Sequence, residues 1–117
     1  MNLDQRVMYV SSTAQQGVVG FDTRVRFRQT GSRVFGQYCG GAIVRGRLVG
    51  RLKGTSLVFR YAQVEATGQI HGGRSVCEVV PQPGGRIRIL EHFTWHTRSG
   101  DGTNVFDELG ESAGPPA

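Results

Sequence analysis

Residues 86–98, RIRILEHFTWHTR, alternate polar and apolar side chains with a period of two, the pattern of a β-strand with one face in a core. The inward positions of this strand are Ile87, Ile89, Glu91, Phe93 and Trp95. A carboxylate buried without a partner is costly, so Glu91 needs a structural or a functional reason. The stretch therefore predicts a β-fold and marks Glu91 as the first candidate for a site.

Similar short segments, rich in Val, Ile, Phe and Tyr, run through the rest of the chain. Gly-rich turn sequences separate them at intervals of about ten residues, which is typical of an all-β protein. The 18 glycines among 117 residues also disfavour helices. Eight strands are predicted, at 6–11, 19–29, 33–39, 42–52, 57–65, 70–80, 86–97 and 103–109.

Eight strands joined by tight turns predict a meander, and closing the meander removes the exposed edges that favour aggregation. We expect one all-β domain over residues 1–109, an eight-stranded antiparallel up-and-down barrel of the calycin or lipocalin type. The last eight residues, GESAGPPA at 110–117, are small and turn-prone, so we expect a flexible C-terminal tail. A barrel of eight strands has an interior wide enough for side chains or for one small ligand.

The net charge of +5 comes almost wholly from arginine, and the arginines alternate with the apolar positions of their strands. They are Arg24, Arg26 and Arg28, then Arg45, Arg47 and Arg51, then Arg86 and Arg88. Nucleic-acid binders usually add exposed aromatic side chains or a helix for the groove, and the sequence displays neither. A solvated outer face is therefore favoured, and a basic module that binds nucleic acid or another anionic partner is the alternative.

Placing the arginines outside also predicts which side chains face inward. For the second strand these are Phe21, Thr23, Val25 and Phe27, and for the fourth they are Ala42, Val44, Gly46, Leu48, Gly50 and Leu52. Glycine on an inner face forgoes packing, so Gly46 and Gly50 indicate either bends at barrel corners or room for a ligand.

Several short motifs resemble those of a group of short bacterial proteins that often bear the name "N-acetylglutamate synthase". The motifs are YCGGAI at 38–43, GRLVG at 46–50, RYAQV at 60–64, EHFTW at 91–95 and GTNV at 102–105. The chain departs from the group's pattern at Glu65, Ser75, Phe93 and Asp107. The resemblance covers residues 27–109 and implies a shared β-barrel architecture.

The acetyltransferase activity in that name is not expected here. Such an enzyme holds the pyrophosphate of coenzyme A on backbone amides at a strand-to-helix loop, and this sequence predicts neither the helix nor the loop. No cofactor is predicted.

The inward polar residues predict a small-molecule site inside the barrel. Tyr38, Tyr61, Gln63, Phe93 and Trp95 are the predicted ligand-binding residues, since apolar walls with a few convergent polar groups are typical of such sites. Glu91 is the predicted catalytic residue, because burial raises a carboxyl pKa toward the range of a general acid or base. The alternatives are a Glu91 that accepts hydrogen bonds from a tyrosine or an inward arginine, and a Glu91 that is hydrated near a rim.

No metal site is predicted. His92 and His96 face away from Glu91, and four residues along a strand separate them by about 13 Å, too far to share one zinc ion. With no apolar run long enough to span a bilayer and no signal-peptide core, we expect a cytoplasmic protein without a membrane partner.

The sequence leaves three functions open. The first is binding of a small, partly apolar organic molecule, extended to a cofactor-free isomerase or cyclase if Glu91 transfers a proton. The second is the basic module described above. The third is an oligomerising barrel, a homodimer formed through outward apolar residues among Val7, Tyr9, Phe35, Val58 and Phe106.

Overall fold

The alternation of apolar and polar residues produces eight antiparallel strands that close into a barrel in a computed structural model, which describes residues 1–13 and 18–110. Each strand pairs with the next along the chain, and β8 pairs with β1. The strands are β1 Val7–Thr13, β2 Arg24–Thr30, β3 Arg33–Gly40, β4 Ile43–Lys53, β5 Ser56–Glu65, β6 Ile70–Pro81, β7 Ile87–Trp95 and β8 Asp101–Glu108. The predicted fold class is confirmed.

Most of the described chain lies in these strands. A single 3₁₀ turn, Pro83–Gly85, precedes β7, and none of the described helical structure is long and apolar enough to cross a membrane. Apart from Gly110, the predicted tail at 110–117 lies outside the described residues.

The two ends of the barrel differ. At the end where β2 turns into β3, Leu3 from the N-terminal segment is fully buried, and its backbone N–H donates a hydrogen bond of 2.8 Å to Gln29 Oε1. At the opposite end lie the β1–β2, β3–β4, β5–β6 and β7–β8 connections. The N-terminal segment thus fills one end of the core, and the polar interior residues lie toward the other.

Three predicted inward residues face solvent instead. Val44 is 62 % exposed and Ala42 is also exposed, whereas Ile43 is buried. The reason is a register shift between Ile43 and Arg45 in the β4–β5 pair, since one extra residue reverses the alternation of side chains. Phe21, which is 64 % exposed, precedes the start of β2 and so lies outside its alternation.

The inner-face glycines of β4 lie opposite aromatic residues on neighbouring strands. Gly46 lies directly opposite Tyr38, and a Cβ at Gly46 would overlap the Tyr38 ring. At Gly50, directly opposite Phe59 on β5, an added Cβ would instead meet the Val58 carbonyl oxygen and the Phe59 backbone. Gly46 therefore makes room for an aromatic ring inside the barrel, and Gly50 allows the β4 and β5 backbones to approach closely.

The candidate oligomerisation surface is only partly exposed. Phe35 lies on the outer face, Val58 is half-buried there, and Phe106 is buried in the core, so the inclusion of Phe106 was wrong. Of the two cysteines, Cys77 is buried and Cys39 is exposed. The homodimer stays a prediction.

Candidate functional site

A cavity of about 40 Å³ lies in the half of the barrel that the N-terminal segment does not fill. It is lined by all six residues predicted from the sequence, Tyr38, Tyr61, Gln63, Glu91, Phe93 and Trp95. The prediction missed Asn104 on β8 and Val18 and Val19 on the β1–β2 connection, which also line the cavity. The cavity lining as a whole comes from six strands, β2, β3, β4, β5, β7 and β8, and from the β1–β2 connection.

One polar network runs from the cavity to the mouth of the barrel. Tyr38 Oη donates a hydrogen bond of 2.8 Å to Gln63 Oε1, and Gln63 Nε2 donates one of 2.8 Å to Glu65 Oε2. Arg98 Nη2 then donates to Glu65 Oε1 at 2.7 Å and completes an ion pair. The network fixes the rotamers of Tyr38 and Gln63, so one wall of the cavity is held in place.

Ionisation along this network follows from its partners. Burial opposes the ionisation of Glu65, but hydrogen bonds from Arg98 and Gln63 and the charge of Arg98 outweigh it, so the pKa of Glu65 lies below its usual range. Burial and the nearby charge of Glu91 raise the pKa of Tyr38. Glu65 is thus a carboxylate, and Tyr38 keeps its proton as the donor to Gln63.

Trp95 joins the cavity to the mouth through ring contacts. Its ring centroid lies 5.4 Å from that of Tyr61 and 5.8 Å from that of Phe93, both edge-to-face. The Arg98 guanidinium lies over the same indole, 4.6 Å from its centroid. Arg98 therefore binds both Glu65 and Trp95, and it orders the aromatic side of the mouth.

Glu91 is a hydrogen-bonded residue of the core, as one alternative predicted, but its partners differ from the predicted tyrosine or arginine. It is 7 % exposed and hence not at a hydrated rim, and its described contacts include no cation and no tyrosine hydroxyl. Ser75 Oγ donates to Glu91 Oε2 at 2.6 Å, and Asn104 Nδ2, directly across the β7–β8 pair, donates to Oε1 at 2.8 Å. Burial raises the pKa of Glu91 in spite of these two bonds. The cavity thus contains a carboxyl group that keeps its proton to a higher pH than an exposed glutamic acid does.

This shift in pKa makes a prediction about stability. Below the ordinary carboxyl value of 4.5, Glu91 is protonated in both states, and as the pH rises the unfolded chain ionises first. The free energy of unfolding should therefore fall with rising pH until the folded protein also ionises, at no more than about 1.4 kcal/mol per pH unit for one proton. Chemical denaturation of Glu91→Gln, whose carbonyl can accept from Asn104 and whose amide can donate to the Ser75 hydroxyl, should show a flatter profile between pH 4 and 8 than the parent protein.

The matched control is Glu78→Gln, which removes an exposed carboxyl bonded only to the Thr55 hydroxyl among the described contacts. It should leave the slope of the parent profile in place. Identical profiles for Glu91→Gln and the parent would contradict a raised pKa at Glu91.

Two buried polar atoms at the cavity have no hydrogen-bond partner in the described part of the protein. They are the hydroxyl oxygen of Tyr61 and Oδ1 of Asn104. Buried polar atoms are nearly always paired, because an unpaired one costs roughly 1–3 kcal/mol. One donor and one acceptor are thus available to a bound molecule.

The histidines lie outside this cavity. His92 is exposed and its Nε2 lies 2.8 Å from Asp101 Oδ2, whereas His71 contacts Thr97 and Gln69 near the mouth. Within residues 1–13 and 18–110, no three His, Cys, Asp or Glu side chains are grouped so as to hold a metal ion.

A closed antiparallel barrel of eight strands, with a cavity of aromatic and polar side chains at one end, is a calycin-like barrel. Residues 1–109 match the model of a family described as avidin-like protein, so the chain belongs to the avidin-like family. No curated protein and no solved structure matches the chain. The resemblance to proteins named "N-acetylglutamate synthase" is not confirmed by these comparisons.

Proposed function

We propose that the protein binds a small, partly apolar organic molecule in the barrel cavity. The observation that carries the proposal is the pair of unpartnered buried atoms, Tyr61 Oη and Asn104 Oδ1. A molecule with one acceptor and one donor would satisfy both atoms, and apolar side chains form most of the surrounding wall. Membership of the avidin-like family supports binding in the barrel interior.

The size of the cavity limits how the ligand binds. An engineered protein cavity of about 150 Å³ binds benzene, and the cavity here, at about 40 Å³, is smaller. A cavity of this size holds only a compact polar group without side-chain movement. The rest of the ligand would lie toward the mouth, against Trp95 and the Val18–Val19 segment.

Trp95 provides a direct test because it is the only tryptophan in the chain and it lines the cavity. Its emission should change saturably, with one site per chain, when a ligand of this class is added. Biotin is the first probe because of the family match, followed by cyclic amides, lactones and aromatic acids of similar size. Uniform absence of a saturable change, with no compound protecting the barrel from thermal unfolding, would contradict the proposal.

A second candidate function is acid–base catalysis by Glu91 in a cofactor-free isomerase or cyclase. One observation favours it: the buried Glu91 carboxyl forms part of the cavity wall. The pKa of this carboxyl is raised, and its described hydrogen-bond partners are neutral. In this role Glu91 would transfer a proton of the substrate, and Tyr38, Tyr61 and Gln63 would position it. For any ligand that is also turned over, Glu91→Gln should retain affinity and lose at least about 100-fold in kcat. Unchanged turnover would remove Glu91 as the acid or base.

A further inference from the structure

A groove on the outside of the barrel follows β3. Beyond Arg33, which begins the strand, the outward side chains of β3 are uncharged, and the neighbouring strands present arginines on both sides of it. We name this region the arginine groove, formed by Arg24, Arg26 and Arg28 of β2, Phe35, Gln37 and Cys39 of β3, and Arg45 and Arg47 of β4. Two adjoining depressions, of about 320 and 520 Å³, meet at Arg26, Gln37 and Arg47 within it.

The charges of the groove are largely uncompensated by the protein. Arg26, Arg45 and Arg47 have no ion-pair partner among residues 1–13 and 18–110, and Arg28 approaches Asp4 only at 3.8 Å. Ion-paired arginines outside the groove include Arg6, Arg88 and Arg98. Among the residues that the structure describes, no carboxylate lines the groove.

Further arginines face one another outside the groove, on the β3–β4 and β5–β6 pairs. Arg33 lies directly opposite Arg51, and Arg60 lies directly opposite Arg74. Like charges in direct cross-strand pairs destabilise a sheet, and this arrangement occurs twice here. A wall that retains such repulsion is suited to a polyanionic partner, whose binding would relieve it.

We propose that the arginine groove binds single-stranded nucleic acid. Alternate residues on a strand lie about 6.7 Å apart, and the two arginine rows are two strand spacings, roughly 10 Å, apart. Such rows can contact successive phosphates of an extended strand that lies along β3, because arginine neutralises phosphate.

Phe35 decides between nucleic acid and other polyanions. It lies at one end of the groove and is 43 % exposed, so its ring can stack on a base. An acidic peptide offers no such planar faces at regular spacing, and an apolar ring on the floor of a groove does not reach into a membrane. The sequence disfavours nucleic acid because it displays neither exposed aromatic side chains nor a helix for the groove, but the structure shows Phe35 exposed beside the arginines.

The test is fluorescence anisotropy with a labelled oligo-dT of about 15 nucleotides across a series of salt concentrations. With five arginines on phosphates, log K should fall with log salt at a slope of about −3.5, and Arg26→Gln/Arg47→Gln should reduce the slope by about 1.4. The matched control, Arg60→Gln/Arg74→Gln, removes the same charge from the outer face of β5 and β6, outside the groove. It should change the slope by less than half as much.

Two further measurements locate the bound strand. Cys39 is exposed in the groove and Cys77 is buried, so oligo-dT should slow the alkylation of Cys39 by iodoacetamide. Phe35→Ala should weaken oligo-dT binding at least about fivefold, the loss of one base–aromatic stack, without changing the salt slope.

The competing explanations predict different results. Equal losses in the two double variants, or equally tight binding of polyglutamate, would show general charge attraction and overturn the groove. Tight binding to vesicles of acidic phospholipid with weak binding to oligo-dT would overturn the choice of nucleic acid. Unprotected Cys39 in a saturated complex would overturn the location.

Discussion

Replacing Gly46 by valine should destabilise the barrel by about 3–5 kcal/mol, a large part of the stability of a domain of this size. The Cβ of any larger residue would overlap the ring of Tyr38, which lies directly across the β3–β4 pair. If Tyr38 moves, its hydrogen bond to Gln63 breaks and leaves a buried acceptor unpaired. The measurement is urea denaturation followed by far-ultraviolet circular dichroism.

Two variants distinguish this clash from a destabilising effect that valine could have at any position of β4. Arg47→Val makes a β-branched substitution at the adjacent outward position and should change the free energy of unfolding by less than about 1 kcal/mol. Gly46→Val combined with Tyr38→Ala removes the overlapping ring and should recover part of the loss. A double variant less stable than the sum of the two single changes would refute the clash.

The pairing of glycines with rings also shows how far the sequence predicts this fold. Alternation along single strands was enough to predict eight strands, an inward Glu91 and the inward positions of β7. It could not show that Gly46 faces Tyr38, because cross-strand register depends on turn geometry and bulges. The same limit explains Val44, whose direction is set by one extra residue at Ile43.

The sequence predicted most of the polar and aromatic residues that line the candidate site, but not the hydrogen bonds and ion pair between them. Asn104 was not predicted to line the cavity. It lies two residues before the buried Phe106 on β8, and this spacing does indicate an inward side chain, but a neutral amide lacks the charge that marks Glu91. The pairing of Glu65 with Arg98 joins the end of β5 to the β7–β8 connection, which meet only after the barrel closes, so no local pattern contains it. Glu65 and Ser75 depart from the group's motif pattern, and both are buried partners in the interior polar networks.

Tyr61 and Tyr38 provide the sharpest test of the cavity, because only one of their two hydroxyl groups has a hydrogen-bond partner among the described residues. The Tyr38 hydroxyl donates to Gln63, whereas the Tyr61 hydroxyl is buried with no partner among the described residues. Tyr38→Phe should therefore cost about 1–3 kcal/mol of stability. Tyr61→Phe should leave the free energy of unfolding unchanged or raise it by up to about 1 kcal/mol, since it removes an unpaired polar group.

The Tyr61→Phe variant should bind a ligand more weakly, although it should be no less stable than the parent protein. For a compound that changes Trp95 emission saturably, Tyr61→Phe should weaken binding by roughly tenfold to a hundredfold, because an acceptor of the ligand is buried without its donor. The edge-to-face contact of residue 61 with Trp95 is retained in the variant, so the fluorescence readout stays valid. Loss of stability with unchanged affinity would mean that the Tyr61 hydroxyl serves the fold, and the ligand would then have to bind elsewhere. A stable Tyr61→Phe barrel with weakened affinity would assign the unpaired hydroxyl to ligand binding.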